Sequence, residues 1–393
     1  MIRSLILFAV FLALPAASLG ADPKDWPTYN ANAEGWRFNR GEVALGKANA
    51  GRLEEKWRFP TRGSDLKIGS VHATPIVVDG CVYFGTATQP TFYKLAPDGT
   101  LKWSYPLPAR VAPGGLELDR SGRAKDSDDL PGVLGSALVT EDAVYFADLG
   151  GFLYALDRHT GKEKWKVDTR AASFPDAHPL NGTFASPILA DGKIVLAGGA
   201  FEQWHAHQRS YRACTGRGYL VAVEPKTGKI AWKYDVGPKP KPLDPPITIK
   251  DTWGEHVFHY GPASSTIWST PSYDAASKTI FFGTDTNNSP RQPTKDDPRL
   301  DTKYACAVVA IDARDGSEKW VTQINPGDLW HRGMRAYDPN AGRYLDQSIG
   351  DTPKVYSIEV DGSPVKVVGA GCKNGGFYVL RTTDGKLLQN TPV

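Results

Sequence analysis

The chain has 393 residues, and its 46 Lys and Arg residues against 43 Asp and Glu residues leave a formal net charge of +3. This balance lacks the excess of basic residues that a nucleic-acid-binding protein needs, so we expect no nucleic-acid partner. Hydrophobic residues make up 41% of the chain and charged residues 23%, which excludes a disordered or fibrous protein. The 40 Gly and 30 Pro residues favour turns, and 11 Trp, 16 Tyr and 15 Phe beside 2 Met favour strands over helices. The composition therefore predicts an all-β protein.

Residues 1–20 have the features of a secretory signal peptide. Arg3 precedes an apolar run over 5–14, and small residues precede Ala21. The run is shorter than the about 20 residues that a membrane-spanning helix needs, and an uncleaved anchor is the alternative. No later segment of the sequence is long and apolar enough to span a membrane. We therefore expect a periplasmic or secreted protein whose single domain covers 21–393.

The four cysteines lie far apart in the sequence: Cys81, Cys214, Cys306 and Cys372. In an exported protein they allow no, one or two disulfides, and the spacing does not fix the pairing. The chain lacks the C-x-x-C-H motif, which excludes a c-type haem attached to it.

A unit of two hairpins occurs five times along the chain. The first hairpin reverses at a tight turn, as in ATPIVVDGCVYFGT and ASPILADGKIVLAG. The turn of the second hairpin carries a glycine: Gly99, Gly161, Gly228, Gly316 and Gly385. Four residues later the first four copies have a tryptophan and the fifth a glutamine: Trp103, Trp165, Trp232, Trp320 and Gln389. Two hairpins form a four-stranded antiparallel sheet, and radial repetition of such sheets predicts a β-propeller with five visible blades. A β-sandwich with coincidental Trp spacing is the alternative.

The repeat also has a family resemblance. The pattern A-x-D-x-x-T-G-K-x-x-W over 155–165 resembles the tryptophan-docking repeat of quinoprotein dehydrogenase propellers, which use pyrroloquinoline quinone (PQQ), and 222–232 repeats it with Glu for Asp. Those propellers close eight blades, so the resemblance implies an incomplete ring, truncated at its C-terminal side. The segment LEEKWRFP, with Trp57, then predicts the last strand of a blade whose partners would lie beyond Val393. The alternative is five self-sufficient blades, with Trp57 capping the fifth.

Long insertions follow the second or fourth strand of the copies, whereas the tight turns follow the first and third strands. The insertions occupy 106–132, 200–217, 237–261, 287–303 and 325–350. Because strand direction alternates within a blade, all of them leave from one face, where the central channel opens. Loops that depart from the repeat length are usually functional, so we expect the site on this face.

Three segments carry a closer resemblance: AGGAFEQ, GPASSTIWSTPSYD and GAGCKNGGFYVL. They resemble soluble PQQ dehydrogenases of the polyvinyl-alcohol dehydrogenase type and, more distantly, calcium-dependent quinoprotein alcohol dehydrogenases. The resemblance implies PQQ and calcium as cofactors. The adjacent Cys pair of that family has no counterpart in this chain.

The resemblance implies cofactor-binding roles for Glu202, Trp268 and Asn287. Glu202 takes the place of the carboxylate on the calcium ion that holds the quinone, and calcium prefers about six to eight hard oxygen ligands. Trp268, in IWSTP, matches the tryptophan on which the quinone ring lies. In GTDTNNSP the alignment puts Thr286 where the family has a calcium-binding Asn, and Asn287 follows by one residue. The alternatives are a solvated loop acid for Glu202 and a core residue for Trp268.

Two further residues are implied to act at the quinone. Asp346, in YLDQSIGDTP, best matches the acidic residue that serves as the base for the alcohol proton and as a calcium ligand, with Asp351 as runner-up. Lys373, in GAGCKNGG, matches a basic residue whose charge stabilises the reduced quinone. The alternative for each is a solvated surface side chain.

These features predict an exported, PQQ-dependent and calcium-assisted dehydrogenase. It would oxidise a small-molecule or polymeric alcohol and pass electrons to an external acceptor such as a cytochrome c. The alternative is a propeller of the same repeat family that has lost the quinone and acts as a binding or assembly scaffold, which the altered Asn loop and the missing Cys pair favour. A transition-metal site is a third interpretation, based on four histidines whose spacing matches no recognised set: His205, His207, His256 and His259.

Overall fold

The computed structural model describes residues 24–108, 132–171, 173–204, 212, 214–251, 254–262, 265–288, 299, 302–330, 337–338 and 343–392. The predicted signal peptide over 1–20 lies outside them. The secondary structure of the described residues is almost entirely β, with short 3-10 helices at Ala50–Arg52 and Glu202–Trp204, so the all-β prediction is confirmed. None of the helices in these ranges has the length and apolar character to cross a membrane.

In each of the five copies, four strands pair antiparallel in chain order, which makes each copy one blade. Blade 1 contains β1 (Ile76–Val78), β2 (Cys81–Gly85), β3 (Thr91–Leu95) and β4 (Leu101–Pro106). Blade 2 contains β5 (Leu138–Val139), β6 (Ala143–Ala147), β7 (Phe152–Asp157) and β8 (Glu163–Asp168). A short β9 (Asn181–Gly182) pairs with the second strand of blade 3. Blade 3 itself contains β10 (Ile188–Ala190), β11 (Lys193–Ala200), β12 (Gly218–Val223) and β13 (Ile230–Asp235).

Two separate hairpins lie within the insertions that precede blades 4 and 5. The first is formed by β14 (Lys241–Asp251) and β15 (Gly254–Gly261). Blade 4 follows with β16 (Ser272–Asp274), β17 (Thr279–Gly283), β18 (Ala307–Asp312) and β19 (Glu318–Gln323). The second hairpin is β20 (Tyr337–Asp338) with β21 (Arg343–Tyr344). Blade 5 contains β22 (Lys354–Val360), β23 (Ser363–Gly371), β24 (Gly376–Arg381) and β25 (Leu387–Pro392).

The repeat is regular down to residue pairing. The residue at the predicted docking position pairs with the third strand of its own blade: Trp103 with Lys94, Trp165 with Ala155, Trp232 with Ala222, Trp320 with Ala310 and Gln389 with Val379. A β-bulge directly follows this pair in every blade. A bulge turns the strand locally, so the same bend recurs in all five blades.

The core lies between neighbouring blades. Separate clusters of buried apolar residues join blade 1 to blade 2, blade 2 to blade 3, blade 3 to blade 4 and blade 4 to blade 5. Phe92 of β3 stacks on Phe146 of β6 with ring centroids 4.1 Å apart, which shows how closely two blades approach. The third strand of blade 4 is buried throughout, whereas its fourth strand is exposed at two of six positions. Blades 2, 3 and 4 are therefore covered on both faces by neighbouring blades, and blade 4 meets solvent along its outer strand.

Each docking tryptophan lies on the second-hairpin turn of the next blade. The indole Nε1 donates to a carbonyl oxygen there at 2.8–3.2 Å: Trp57 to Pro97, Trp103 to Arg158, Trp165 to Pro225, Trp232 to Ala313 and Trp320 to Thr382. The turn glycines have φ between 69° and 82°, a region that L side chains rarely adopt. A Cβ on any of them would also come within 2.5–2.7 Å of the indole. Glycine is thus required twice at this position, by the backbone and by the ring above it.

The segment 53–59 carries Trp57 but forms no strand within the described residues. Trp57 donates to Pro97 O and lies on Gly99, so it contacts blade 1 and not the fifth copy. Trp57 therefore docks like the other tryptophans, and the prediction that 53–59 pairs as a strand with residues beyond Val393 stays a prediction. The prediction of further blades beyond these five stays a prediction.

The N-terminal segment 26–36 crosses the inner strands of four blades, which the sequence did not predict. Its backbone hydrogen bonds join Trp26 to Val77, Pro27 to Val139, Ala33 to Tyr273 and Glu34 to Val355. Just before the inner strands, hydroxyl groups link consecutive blades: Ser136 Oγ to Thr74 O, Ser136 N to Ser186 Oγ and Ser186 N to Thr270 Oγ1. The inner strands thus surround a common channel, and this segment lies along it.

All long connections follow the second or fourth strand of a blade. The turns after first and third strands are short, as at 79–80 and 191–192. Because antiparallel strands alternate in direction, the long connections leave from one end of the blades, as predicted. We call this end the insertion face.

Candidate functional site

Three candidate residues are in direct contact on the insertion face. Lys373 Nζ donates to Asp346 Oδ1 at 2.7 Å and lies 5.2 Å from the ring centroid of Trp268. Lys373 follows β23, and its backbone N–H donates to Ser348 O at 3.1 Å, which ties the two loops together. A cation, a carboxylate and an aromatic plane therefore meet at one place.

Trp268 separates this cluster from a cavity in the channel. Gly350 lies directly at its ring, where a Cβ would come within 2.9 Å of the indole. On the channel side, a cavity of about 290 Å³ is lined by Trp268, by Tyr29 and Arg37 of the N-terminal segment, and by Asp351. The tryptophan is half-buried.

Glu202 is fully buried at the end of β11, in the short 3-10 helix. Its carboxylate accepts hydrogen bonds from Thr215 N at 2.6 Å, Thr215 Oγ1 at 3.0 Å and Gly216 N at 2.8 Å. His178 Nε2 lies 3.1 Å from Thr215 Oγ1, and burial lowers the pKa of His178. Glu202 is therefore a rigidly held buried acid and not a solvated loop residue.

Asn287 connects the end of β17 to the loop of Asp346. It forms an isolated parallel bridge with Leu329, and its N–H donates to Asp328 O at 3.0 Å. The Asp328 carboxylate accepts from Gln347 N at 2.8 Å, directly after Asp346. Two hydrogen bonds thus lead from Asn287 to the residue beside the candidate base.

The loop of Glu202 meets the same region through Cys214 and Asn288. The Cys214 sulfur lies 4.0 Å from Asn288 O, and Glu202 is held by the two residues that follow Cys214. The structure thus brings Trp268, Asp346 and Lys373 into contact, and links Asn287 and Glu202 to them through intervening residues.

Asp351, the runner-up for the base, has a different setting. Its carboxylate pairs with Lys354 at 2.5 Å and accepts from Gly371 N at 3.2 Å. It lines the channel cavity, whereas Asp346 contacts Lys373 above Trp268. The geometry favours Asp346 over Asp351 for a role beside Lys373.

Asp285 is a buried acid of this region that sequence reasoning missed. It follows β17, and its Oδ2 accepts from Thr266 Oγ1 at 3.0 Å. Burial raises its pKa, and the charges of Lys373 and Asp346 also act on it. Asp285 is the acid of GTDTNNSP, and it precedes the Asn residues that the sequence analysis singled out.

Buried polar atoms without a partner cluster beside the candidate residues. Within the described residues, no hydrogen bond reaches Gln203 Oε1, Ser269 Oγ, Thr286 Oγ1, Asn288 Oδ1 and Nδ2, or Ser348 Oγ. These positions adjoin Glu202, Trp268 and Asn287, or lie two residues from Asp346. Buried polar groups are normally paired, so the residues fit the surface of a polar cofactor such as PQQ.

Side chains with oxygen atoms lie at this face, but the described residues contain no carboxylate or histidine cluster that could hold a metal ion. Calcium takes carboxylate and amide oxygens, and Glu202, Asn287 and the unpaired Asn288 amide supply donors of that kind. No group of three His, Cys, Asp or Glu side chains that could hold a metal ion occurs in the part of the chain that the structure describes. His205 and His207, from the histidine interpretation, lie outside that part.

Comparisons with known proteins identify the repeat. A family profile described as "Glucose/ethanol/alcohol dehydrogenase, beta-propeller domain" of the PQQ family matches residues 26–392. Quinohemoprotein alcohol dehydrogenase ADH-IIG of Pseudomonas putida is 28% identical over 93% of this chain and 45% of its own length. Polyvinylalcohol dehydrogenase of a Sphingopyxis strain is 28% identical over 94% of this chain and 51% of its own length. The chain thus spans about half the length of these relatives.

Solved structures show the same fold. The quinohemoprotein alcohol dehydrogenase ADHIIG of Pseudomonas putida superposes with a TM-score of 0.65 at 23% identity, over 95% of this chain and 48% of that one. A europium-containing methanol dehydrogenase gives a TM-score of 0.66 at 19% identity, over 95% of this chain and 59% of the other. With a profile match over nearly the whole chain, the protein belongs to the family of PQQ-type β-propeller dehydrogenase domains.

Proposed function

We propose that this chain binds PQQ with calcium on the insertion face and oxidises an alcohol there. The observation that carries the proposal is the contact of Lys373 with both Asp346 and Trp268. A flat charged cofactor needs an aromatic surface and a cation, and the reaction needs a base beside them. The unpaired polar atoms beside Glu202, Trp268 and Asn287 support the same conclusion.

Each candidate residue has a defined task in this proposal. Trp268 provides the surface under the cofactor ring, and Glu202 with Asn287 provides oxygen ligands for calcium, joined by Asp346. Asp346 takes the hydroxyl proton of the alcohol, since its carboxylate is the acid nearest to the lysine. When bound, PQQ accepts the hydride from the alcohol carbon. Lys373 stabilises negative charge on the cofactor side, as a compact ammonium ion can.

The substrate class, the acceptor and the location are part of the proposal. The relatives are alcohol, polyvinylalcohol and glucose dehydrogenases by name, so a small or polymeric alcohol is the first substrate to test. We further propose an external electron acceptor such as a cytochrome c, because the two electrons taken from the alcohol must leave the site before the next turnover. Export by the segment 1–20 would place the protein in the periplasm or outside the cell.

The test compares two Lys–Asp pairs of blade 5 and its preceding loop. The full chain is incubated with PQQ and calcium chloride, and binding is followed by tryptophan fluorescence and turnover by dye reduction with alcohols. Asp346→Asn should lower kcat about 100-fold or more, because a positioned base contributes about that much. Asn also tolerates the φ of 64° at this position.

The matched control is Asp351→Asn, which removes the acid paired with Lys354. It should leave kcat within about threefold of the parent. A large loss in Asp351→Asn with none in Asp346→Asn would reverse the assignment of the base. An absence of PQQ binding by the parent chain would instead support the scaffold alternative.

A further inference from the structure

We infer that Cys306 and Cys372 form a disulfide by exchange with a small disulfide, and that this bond joins blade 4 to blade 5. Their sulfurs lie 3.8 Å apart in the reduced structure. Cys306 immediately precedes β18, and Cys372 immediately follows β23. The sequence spacing alone did not select this pair among the four cysteines.

The two thiols share one acceptor, which fixes them face to face. Cys306 Sγ lies 2.8 Å and Cys372 Sγ lies 2.7 Å from Gln347 O. The backbone on both sides is also fixed, because Cys306 N donates to Asp285 O at 2.8 Å and Cys372 N donates to Gly376 O at 2.9 Å. Bond formation then brings the sulfurs from 3.8 Å to about 2.05 Å.

The remaining cysteines do not offer a competing pair. Cys81 lies in β2 of blade 1, and the Cys214 sulfur faces Asn288 O at 4.0 Å. No other contact between two cysteine sulfurs occurs among the residues that the structure describes. Cys306 also holds a φ of 48°, a region that non-glycine residues enter rarely and mostly at functional positions.

The thiol–disulfide exchange begins at Cys372. Cys372 is 8% exposed and Cys306 is fully buried, so a small disulfide reaches Cys372 first. The neighbouring Cys306 side chain lowers the pKa of Cys372, which favours its thiolate as the attacking group. The thiolate forms a mixed disulfide and releases one small thiol. Cys306 then gives up its proton and attacks the Cys372 sulfur, which releases the second thiol. Two protein thiols are oxidised, and the small disulfide is reduced to two thiols.

The bond would act on the candidate site through Gln347. Oxidation removes both S–H donors from Gln347 O, next to Asp346, and Lys373 follows Cys372 in the chain. The redox state of the pair is therefore coupled to the loop that holds the Lys373–Asp346 contact.

The experiment measures the bond itself and does not depend on activity. The full chain is equilibrated with excess oxidised glutathione, alkylated under denaturing conditions and digested with trypsin. Peptides 304–314 and 367–373 should be recovered joined by a disulfide, and reduction should separate them. The thermal midpoint should rise by several degrees, because the crosslink restricts a long loop of the unfolded chain.

Cys306→Ser is the matched variant, and Cys81→Ser is its control. With Cys306→Ser, glutathione should stay attached at Cys372 as a mixed disulfide, because the resolving thiol is missing. Cys81→Ser should form the linked peptide like the parent. Recovery of both peptides alkylated or singly glutathionylated from the parent chain would overturn the inference. That result needs no variant to fold.

Discussion

The docking ring, formed by the docking tryptophans and the turn glycines that they contact, differs from the insertion face in how its polar groups are paired. In the ring, every docking indole from Trp57 to Trp320 donates to a carbonyl of the next blade, and a glycine lies under each. On the insertion face, buried polar atoms of Gln203, Thr286 and Asn288 have no partner among the described residues. The ring pairs these groups without a ligand, whereas the proposed cofactor would pair those of the face. Stability should therefore depend on the ring and binding on the face, and substitutions in the two regions should separate these properties.

The largest loss of stability should follow the removal of a docking tryptophan. Trp232→Ala removes an indole that is 8% exposed and donates to Ala313 O at 3.0 Å. Truncation of a buried aromatic residue lowers the free energy of unfolding by about 3–5 kcal/mol. Denaturation by urea, followed by tryptophan fluorescence, measures the change.

Trp57→Ala is the control within the ring. Trp57 makes the same contact with blade 1 but is half-buried, so its loss should be clearly smaller. Equal losses in the two variants would mean that depth of burial does not govern the docking contact. A loss of PQQ binding without a loss of stability in Trp232→Ala would contradict the separation of ring and face.

The next largest loss of stability should follow a substitution at a glycine that contacts a docking indole. Gly228→Ala places a Cβ 2.7 Å from the Trp165 indole at a φ of 69°. The left-handed backbone costs about 1 kcal/mol or more, and overpacking adds about 1–3 kcal/mol. We expect a loss of about 3 kcal/mol in the free energy of unfolding, measured by the same urea titration.

Gly192→Ala isolates the backbone part of that loss. Gly192 lies in the turn between β10 and β11 with a φ of 75°, and a Cβ at this residue would have no atom within 4 Å. It should lose only about 1 kcal/mol. If the two variants were equally stable, the contact between glycine and indole would contribute nothing.

The sequence predicts the ring better than the face for a physical reason. The ring repeats one sequence pattern at a fixed spacing. A left-handed glycine is followed four residues later by a tryptophan in the first four copies, so the pattern is visible in the sequence. The contact of Lys373 with Trp268 joins residues 105 positions apart, and no repeat constrains either loop. Segment 53–59 is unpaired among the described residues, because a strand needs a pairing partner and local sequence does not supply one. Asp285 was missed for a related reason, since its burial depends on Thr266 and on the loops around it.

Addition of PQQ and calcium should stabilise the chain if the insertion face binds them. PQQ with calcium at a hundredfold excess over Kd should stabilise the folded chain by about 2.7 kcal/mol, because a ligand that binds only the folded state shifts the equilibrium. Removal of calcium with a chelator should reduce this effect. Differential scanning fluorimetry, with and without each component, measures the shift in Tm.

Glu202→Gln tests whether the buried carboxylate carries the calcium effect. The variant keeps the size of the side chain but loses the charge that accepts from Thr215 and Gly216. Its own Tm without ligand is the reference, so that lost hydrogen bonds are not counted as lost binding. Calcium-dependent stabilisation of this variant equal to that of the parent would remove Glu202 from the calcium site.

The smallest loss of stability should follow the removal of a buried carboxylate between blades 4 and 5, and this loss should depend on pH. Asp274 of β16 is buried, and Lys366 of β23 donates to it at 2.5 Å across blades 4 and 5. Burial opposes ionisation, but the hydrogen bonds from Lys366 and Ser277 outweigh it and lower the pKa of Asp274. A group whose pKa is lowered on folding stabilises the folded state above its usual pKa, and this contribution is lost as the pH falls through the folded value. Asp274→Asn should therefore lose about 1–2 kcal/mol at pH 7.

The difference between Asp274→Asn and the parent should shrink as the pH is lowered below the usual aspartate pKa of about 4, because the unfolded parent then binds a proton that the folded carboxylate resists. Asp384→Asn is the control. Its partner Arg381 also lowers the pKa of that aspartate, to about 2, but the pair is exposed and solvent screens it. Its effect at pH 7 should be the smaller one. Urea midpoints at pH 7, 4 and 3 distinguish the two variants, and a difference for Asp274→Asn that stays constant down to pH 3 would show that packing, not charge, joins blades 4 and 5 at this point.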